Sequence, residues 1–210
     1  MSDRTAKFRR ETAGQRKEAL INATLSLIAE QGVRGATVRA IAERAEVTQG
    51  LIRHYFTTKE ELIKAAYEFH MRSLTEITAA SASVNSGSAR VRLAAFIEAG
   101  LKPPVTDPGA VLLWAGFLNA LRDDPEMQVI HERTYHDFRD RLEGLIADTL
   151  QEAGRPATGH VLRQLAIACN ALVDGLWMEG GALPNAFEAE ELSEIGVHAV
   201  GAIIGVDITG

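Results

Sequence analysis

The 210-residue chain predicts an all-α fold of about nine helices, an N-terminal three-helix module followed by a larger helical part. Three observations lead there. Apolar residues recur at three- and four-residue spacing along most of the chain, no stretch shows the two-residue alternation of a strand, and Gly, Pro and Asp-rich breaks part the helical runs. The length suits one or two domains, and 46% hydrophobic with 24% charged residues describes a soluble globular chain with a substantial core.

Residues 4–17 (RTAKFRRETAGQRK) form a polar, basic arm in which Arg9 and Arg10 suit phosphates or a minor groove, although a solvated tail explains them equally well. The first helix is expected from near Thr12 or Gly14 to about Gln31, burying Ala19, Ala23, Leu27 and Ile28, with Gly32 as a left-handed stop. Thr37 is then placed to cap a short helix whose stripe is Val38, Ile41, Ala42 and Ala45. Glu46-Val47 makes a turn. Thr48 can cap a second short helix, Gln49 to Tyr55, anchored by Ile52 and Phe56. Two overlapping capping boxes, Thr57…Glu60 and Thr58…Glu61, start a third helix near Lys59.

A second short helix with a free polar face and a small residue near its start is the form of a DNA-recognition helix, whose N-terminal residues meet base edges in the major groove. Gly50 would let the backbone approach closely; Arg53 matches the two acceptors of guanine, and Gln49 can read adenine. Thr37, Arg39, Thr48, His54, Tyr55 and Lys59 complete the expected DNA-binding set, with the threonines, His54, Tyr55 and Lys59 suited to phosphates. The run from Thr37-Val38 through Ile41-Ala42, Ala45, Val47-Thr48, Gly50 and His54-Tyr55-Phe56 to Lys59-Glu60-Glu61-Leu62 resembles the N-terminal domain of the TetR family of transcriptional regulators. Glu46 departs from the pattern, which usually has Gly in the turn. If positive φ is needed there, the strain is of order 1 kcal/mol.

The helix from Lys59 is expected to reach about Ala80, and the resemblance implies that it links a DNA-binding domain, residues 1–60, to a ligand-binding and dimerisation domain, residues 61–210. Ser81 to Ser88 (SASVNSGS) reads as a loop. Helices follow at about Ala89 to Leu101, Pro108 to Arg122, Pro125 to Ala153, His160 to Gly180 and Glu188 to Gly205. The last two carry Leu165, Ala168, Leu172 and Leu176, then Ile195, Val197, Val200 and Ile204, broad apolar faces suited to a four-helix dimer bundle. The TetR resemblance likewise implies a homodimer on a palindromic operator, most often a repressor released by a small-molecule effector.

Trp114-Ala115-Gly116-Phe117, the segment Arg133 to Leu142, and the run Leu172 to Glu179 (LVDGLWME) are similar to the BetI-type branch of that family, which includes the choline-responsive repressor of glycine betaine synthesis. Helix packing alone can also explain these segments. If a small molecule binds, the candidates are Trp114, Phe117, Asn119, Tyr135, Asn170, Asp174 and Trp177. Trp114 and Trp177 beside Asp174 suit a quaternary ammonium such as choline.

The net charge of -6 hides an asymmetry. Residues 1–65 hold 12 basic and 8 acidic side chains, a balance of +4, and residues 66–210 hold 10 and 20, a balance of -10. A basic module on an acidic body fits a DNA reader with a separate sensing part. No apolar run of 18 residues or signal-peptide core occurs, and the single Cys169 fits a reducing cytoplasm. His131-Glu132-Arg133-Thr134-Tyr135 lacks the second histidine of a zinc helix, and no nucleotide-loop or nucleophile motif is present. No enzyme, metal or cofactor is expected. The competing reading is a small-molecule carrier whose helix–turn–helix no longer engages DNA.

Overall fold

The computed structural model describes residues 13–84, 87–122, 124–183 and 185–209. These residues fold into nine α-helices without a strand. The chain divides into two compact units, Met1–Ala66 and Tyr67–Gly210, so the division falls inside the fourth helix, six residues beyond the expected domain boundary. Arg9 and Arg10 of the basic arm lie outside the described residues, as do Asn85, Ser86, Asp123 and Pro184.

In the first unit, α1 (Ala13–Gly35) buries Leu20, Ile21, Ala23, Thr24, Leu27 and Ile28. Ala19, expected inside, is exposed. The buried stripe runs instead through positions 20, 24, 27 and 28, where Thr24 tolerates burial because its hydroxyl donates to the Leu20 carbonyl at 2.8 Å. Gly32, at φ 71 and ψ 172, breaks the helix, and helical structure resumes to Gly35. Helices α2 (Val38–Arg44) and α3 (Gln49–Tyr55) contribute Ile41, Ala42 and Ile52 to the core, joined by Phe56 and by Leu62 and Ile63 from the start of α4 (Lys59–Val84).

Within α4, the helix continues four residues past the expected end at Ala80. Ala82 is buried, and Ser83 satisfies its own hydroxyl on the Ala79 carbonyl at 2.9 Å, so half of the small polar stretch stays helical. In the second unit, α7 (Pro125–Glu152) packs on α5 (Ala89–Gly100) and α8 (Gly159–Ala182). Helix α8 also meets α6 (Pro108–Leu121) and α9 (Glu191–Ile204), and α9 closes on α5. Leu93, Phe96, Leu142, Ile146, Ala166 and Cys169 form the centre, where burial pushes the Cys169 thiol up to about 11. By length and composition α8 is apolar enough to cross a membrane, and in this fold it packs on α5, α6, α7 and α9.

Two side chains press on neighbouring helices where glycine leaves room. A Cβ on Gly181 of α8 would lie 2.1 Å from Val111 Cγ2, and one on Gly196 of α9 would lie 2.3 Å from Leu101 Cδ1. The apolar faces of α8 and α9 divide differently from expectation. Val197, Val200 and Ile204 turn into the unit's own core, and Leu165, Leu172 and Leu176 are half-buried against it. Helix α9 packs on α5 and α8 at once, so that contact claims the stripe. Ala168 and Ile195 do face outward, with Val161, Ile167 and Ile203.

Candidate nucleic-acid interface and ligand cavity

The helix–turn–helix is fixed by caps and by a Schellman ending. Ala40 N–H donates to Thr37 Oγ1 at 3.2 Å and Leu51 N–H to Thr48 Oγ1 at 3.3 Å. Each threonine hydroxyl therefore keeps its proton for an outside acceptor such as a phosphate. At the end of α2, Val47 N–H reaches the Ala42 carbonyl at 2.9 Å and Glu46 N–H the Glu43 carbonyl at 3.2 Å. This pattern puts its middle residue in the left-handed region, and Glu46 sits there at φ 54. The end of α7 repeats the same pair of bonds around Gly154, at φ 69. The first unit thus runs a glycine motif on a glutamate.

Of the two expected capping boxes at α4, only the later pair forms. Glu61 N–H donates to Thr58 Oγ1 at 3.1 Å, and the Glu61 carboxylate accepts from Thr57 N–H at 2.8 Å, one residue earlier than a regular box.

Gln49, Gly50, Arg53 and His54 are all exposed on α3, and Thr37, Arg39 and Thr48 are exposed beside them. Tyr55 and Lys59 are half-buried, with the Tyr55 ring edge-on to His54 at 5.1 Å. Arg39, Arg53 and Lys59 enter no ion pair among the described residues, in contrast to Arg44. Arg44 is held by Glu30 through two bonds of 2.7 Å, and this guanidinium draws the Glu30 carboxyl down to about 2. A Cβ at Gly50 would meet nothing nearer than Thr48 Oγ1 at 3.8 Å, so the packing of this unit does not require glycine there.

The second unit contains a cavity of about 210 Å³. Trp114, Tyr135, Asn170, Asp174 and Trp177 line it, five of the seven expected ligand candidates. Phe117 does not: it is fully buried, its ring 4.7 Å from Tyr67. Asn119 is exposed on α6 and takes no part either. Trp114 meets Trp177 edge-on at 5.7 Å, and Trp177 Nε1 donates to the Val105 carbonyl at 2.7 Å, which fixes that indole.

Asp174 is the one carboxylic side chain in the lining. Tyr135 Oη donates to its Oδ2, and Asn170 Nδ2 donates to the same oxygen at 2.9 Å. Burial raises the Asp174 carboxyl above the ordinary carboxylate range, against the lowering effect of these two bonds. Burial also raises the Tyr135 phenol, with the Asp174 charge adding to it. Behind Tyr135, His131 lies tilted against its ring at 5.0 Å, and it shares a hydrogen bond of 2.5 Å with the Tyr67 hydroxyl. Burial depresses His131, and the incomplete zinc motif is here part of an aromatic packing chain.

Sequence reasoning missed Met71, Leu74, Thr75 and Thr78 of α4, which form one wall of the cavity, together with Val105, Phe138 and Met178. Nothing local marks those α4 residues as lining rather than core.

Residues 20–66 match the family model of bacterial regulatory proteins of the tetR family, and residues 89–205 match that of the BetI-type transcriptional repressor C-terminal domain. An HTH-type transcriptional regulator BetI from Burkholderia thailandensis is 29% identical over 175 residues, covering 83% of this chain and 86% of its own. A solved transcriptional regulator from Pseudomonas aeruginosa PAO1 superposes with a TM-score of 0.83 at 30% identity, covering 97% of each chain. Another, from Saccharomonospora viridis and solved in complex with choline, shares the fold at a TM-score of 0.71 and 16% identity, over 91% of this chain and 96% of its own.

Proposed function

This chain belongs to the TetR family of bacterial transcriptional regulators, with a C-terminal domain of BetI type, and from that premise we propose that it is a cytoplasmic homodimeric repressor of a palindromic operator, released by a small organic cation. The division of labour follows the expected domains: residues 1–60 read DNA, and residues 61–210 sense ligand and dimerise. The observation that carries this reading is the exposed row Gln49, Gly50 and Arg53 on a helix whose remaining features are explained by caps and core. Arg53 reads a guanine, Gln49 contacts a neighbouring base, and Thr37, Arg39, Thr48, His54, Tyr55 and Lys59 hold phosphates.

Val161, Ile167, Ile195 and Ile203, between 37% and 43% exposed on α8 and α9, support a two-fold interface between copies of this chain. Two half-sites one DNA turn apart multiply the discrimination of a single recognition helix. The Asp174 cavity supports a cationic effector, since it combines one carboxylate with Trp114, Tyr135 and Trp177 and has no basic residue in its lining. The choline carried by the Saccharomonospora neighbour is a ligand of that chemistry. DNA and effector then oppose each other by linkage, each favouring its own spacing of the recognition helices.

Selection of bound fragments from genomic DNA with the purified full chain, at two salt concentrations, tests the reading. Recovery of a two-fold symmetric site is expected. Binding that is only nonspecific and salt-sensitive would overturn operator recognition and return the carrier alternative.

A further inference from the structure

The carboxylate in the cavity is used on one side only. Both donors that reach Asp174, the Tyr135 hydroxyl and the Asn170 amide, converge on Oδ2, and among the described residues none donates to Oδ1. Oδ1 is also absent from the sealed orphans: His70 Nε2 is the one buried side-chain nitrogen or oxygen without a partner among those residues. Oδ1 therefore keeps some accessible surface, and Asp174 is one of the residues that line the 210 Å³ cavity. Burial raises this carboxyl and the two donated bonds work against that rise, while no Lys, Arg or His in the lining balances a charge on it. The site therefore lacks two things at one atom, a positive charge and a hydrogen-bond donor.

We propose, resting on the reading of this cavity as the effector site, that its ligand is a small protonated amine that donates an N–H to Asp174 Oδ1. A fully alkylated ammonium supplies the charge but no N–H, and unless it carries a hydroxyl it brings no donor. Once such a ligand has displaced water, the Oδ1 lone pairs stay unpaired in a nearly apolar pocket, which is the expensive arrangement for a buried acceptor. A neutral alcohol supplies the donor and leaves the charge unmet. An ammonium N–H supplies both in one short, charge-assisted bond. Trp114, Trp177, Phe138 and Val173 then enclose the carbon portion. The volume, below the roughly 300–1,000 Å³ of drug-sized sites, keeps that portion small. This selects against a quaternary ammonium without a hydroxyl, a class that Trp114 and Trp177 beside Asp174 would otherwise suit, because cation–π attraction to an indole does not distinguish N–H from N–CH3 while an acceptor with an empty side does.

Calorimetric titration of the full-length protein at neutral pH with benzyldimethylamine, protonated under these conditions, and benzyltrimethylammonium compares two ligands that differ by one methyl in place of one N–H. The dimethylamine is expected to bind at least about tenfold more tightly. Asp174→Asn, checked for folding by its thermal transition, is expected to erase that preference. Equal binding, or tighter binding of the trimethylammonium, overturns the N–H assignment and leaves the cation cavity standing. Failure of both cations to bind the wild-type protein overturns the cavity reading itself, and the N–H assignment with it.

Discussion

Gly50 and Glu46 stand four residues apart and make opposite demands on the same motif. Glycine in a helix interior is worth about 1 kcal/mol less than alanine, and no neighbour crowds the position at Gly50. Gly50→Ala is expected to raise the stability of the protein by up to about 1 kcal/mol in a urea titration and, on the proposed reading of α3, to weaken operator binding, because the added methyl would come between the backbone and the groove. A variant that binds the operator normally would remove close approach as the reason for the glycine. Glu46 carries the reverse conflict, a side chain in the left-handed region that Gly154 occupies in the matching turn after α7. Glu46→Gly is expected to stabilise by about 1 kcal/mol without altering DNA recognition, read as a shift in the unfolding midpoint. Arg53→Ala should cost about 1–3 kcal/mol of operator affinity and relax preference at one base pair. Unchanged binding across base variants would take Arg53 out of the readout.

At the scale of the element, the close crossing of α6 and α8 makes the sharpest test. Val111 is β-branched and stiff, so the 2.1 Å approach at Gly181 cannot be relieved by swinging a flexible tip. Gly181→Ala is expected to destabilise by about 1–3 kcal/mol, measured by thermal unfolding. Helix ends were legible in the sequence where they are chemically local: Thr37, Thr48 and Thr58 each cap where hydroxyl spacing placed them. Helix phase was less so. Ala19 and Leu20 are both apolar, and only packing decides that Leu20 goes inside. For the same reason α9 showed one apolar face without saying which neighbour would take it, and Val197, Val200 and Ile204 went to α5 and α8 of their own chain. The polar half of the cavity was readable, because Asp174, Asn170 and Tyr135 are unusual residues for an apolar helix surface. Its α4 wall was not, since Leu74 and Thr75 look like core residues until the fold leaves a space beside them.

At the scale of the molecule, buried titratable groups set the response to acid. The imidazole of His70 is held down to about 4 by burial, below the ordinary histidine value of 6.5, and its Nε2 has no partner. The unfolded chain therefore binds more protons than the folded one between pH 6.5 and about 4, and stability falls as pH drops through that window. The loss from this group is of order 3 kcal/mol in full. His131, also lowered by burial, acts in the same direction, whereas the raised carboxyl of Asp174 acts in the opposite one. Comparing urea midpoints of wild type and His70→Leu at pH 7 and 4.5 isolates the His70 share, and the variant is expected to show the shallower slope. Equal slopes would show that the imidazole titrates in the folded protein without penalty.

The edge-to-face pair in the cavity wall has an optical consequence. The chain holds two tryptophans, Trp114 and Trp177, and both line the same cavity 5.7 Å apart. All indole emission of the protein therefore originates at this cavity and none from the first sixty-six residues. Intrinsic fluorescence is a label-free gauge of whatever enters this cavity, and it can be read with DNA present.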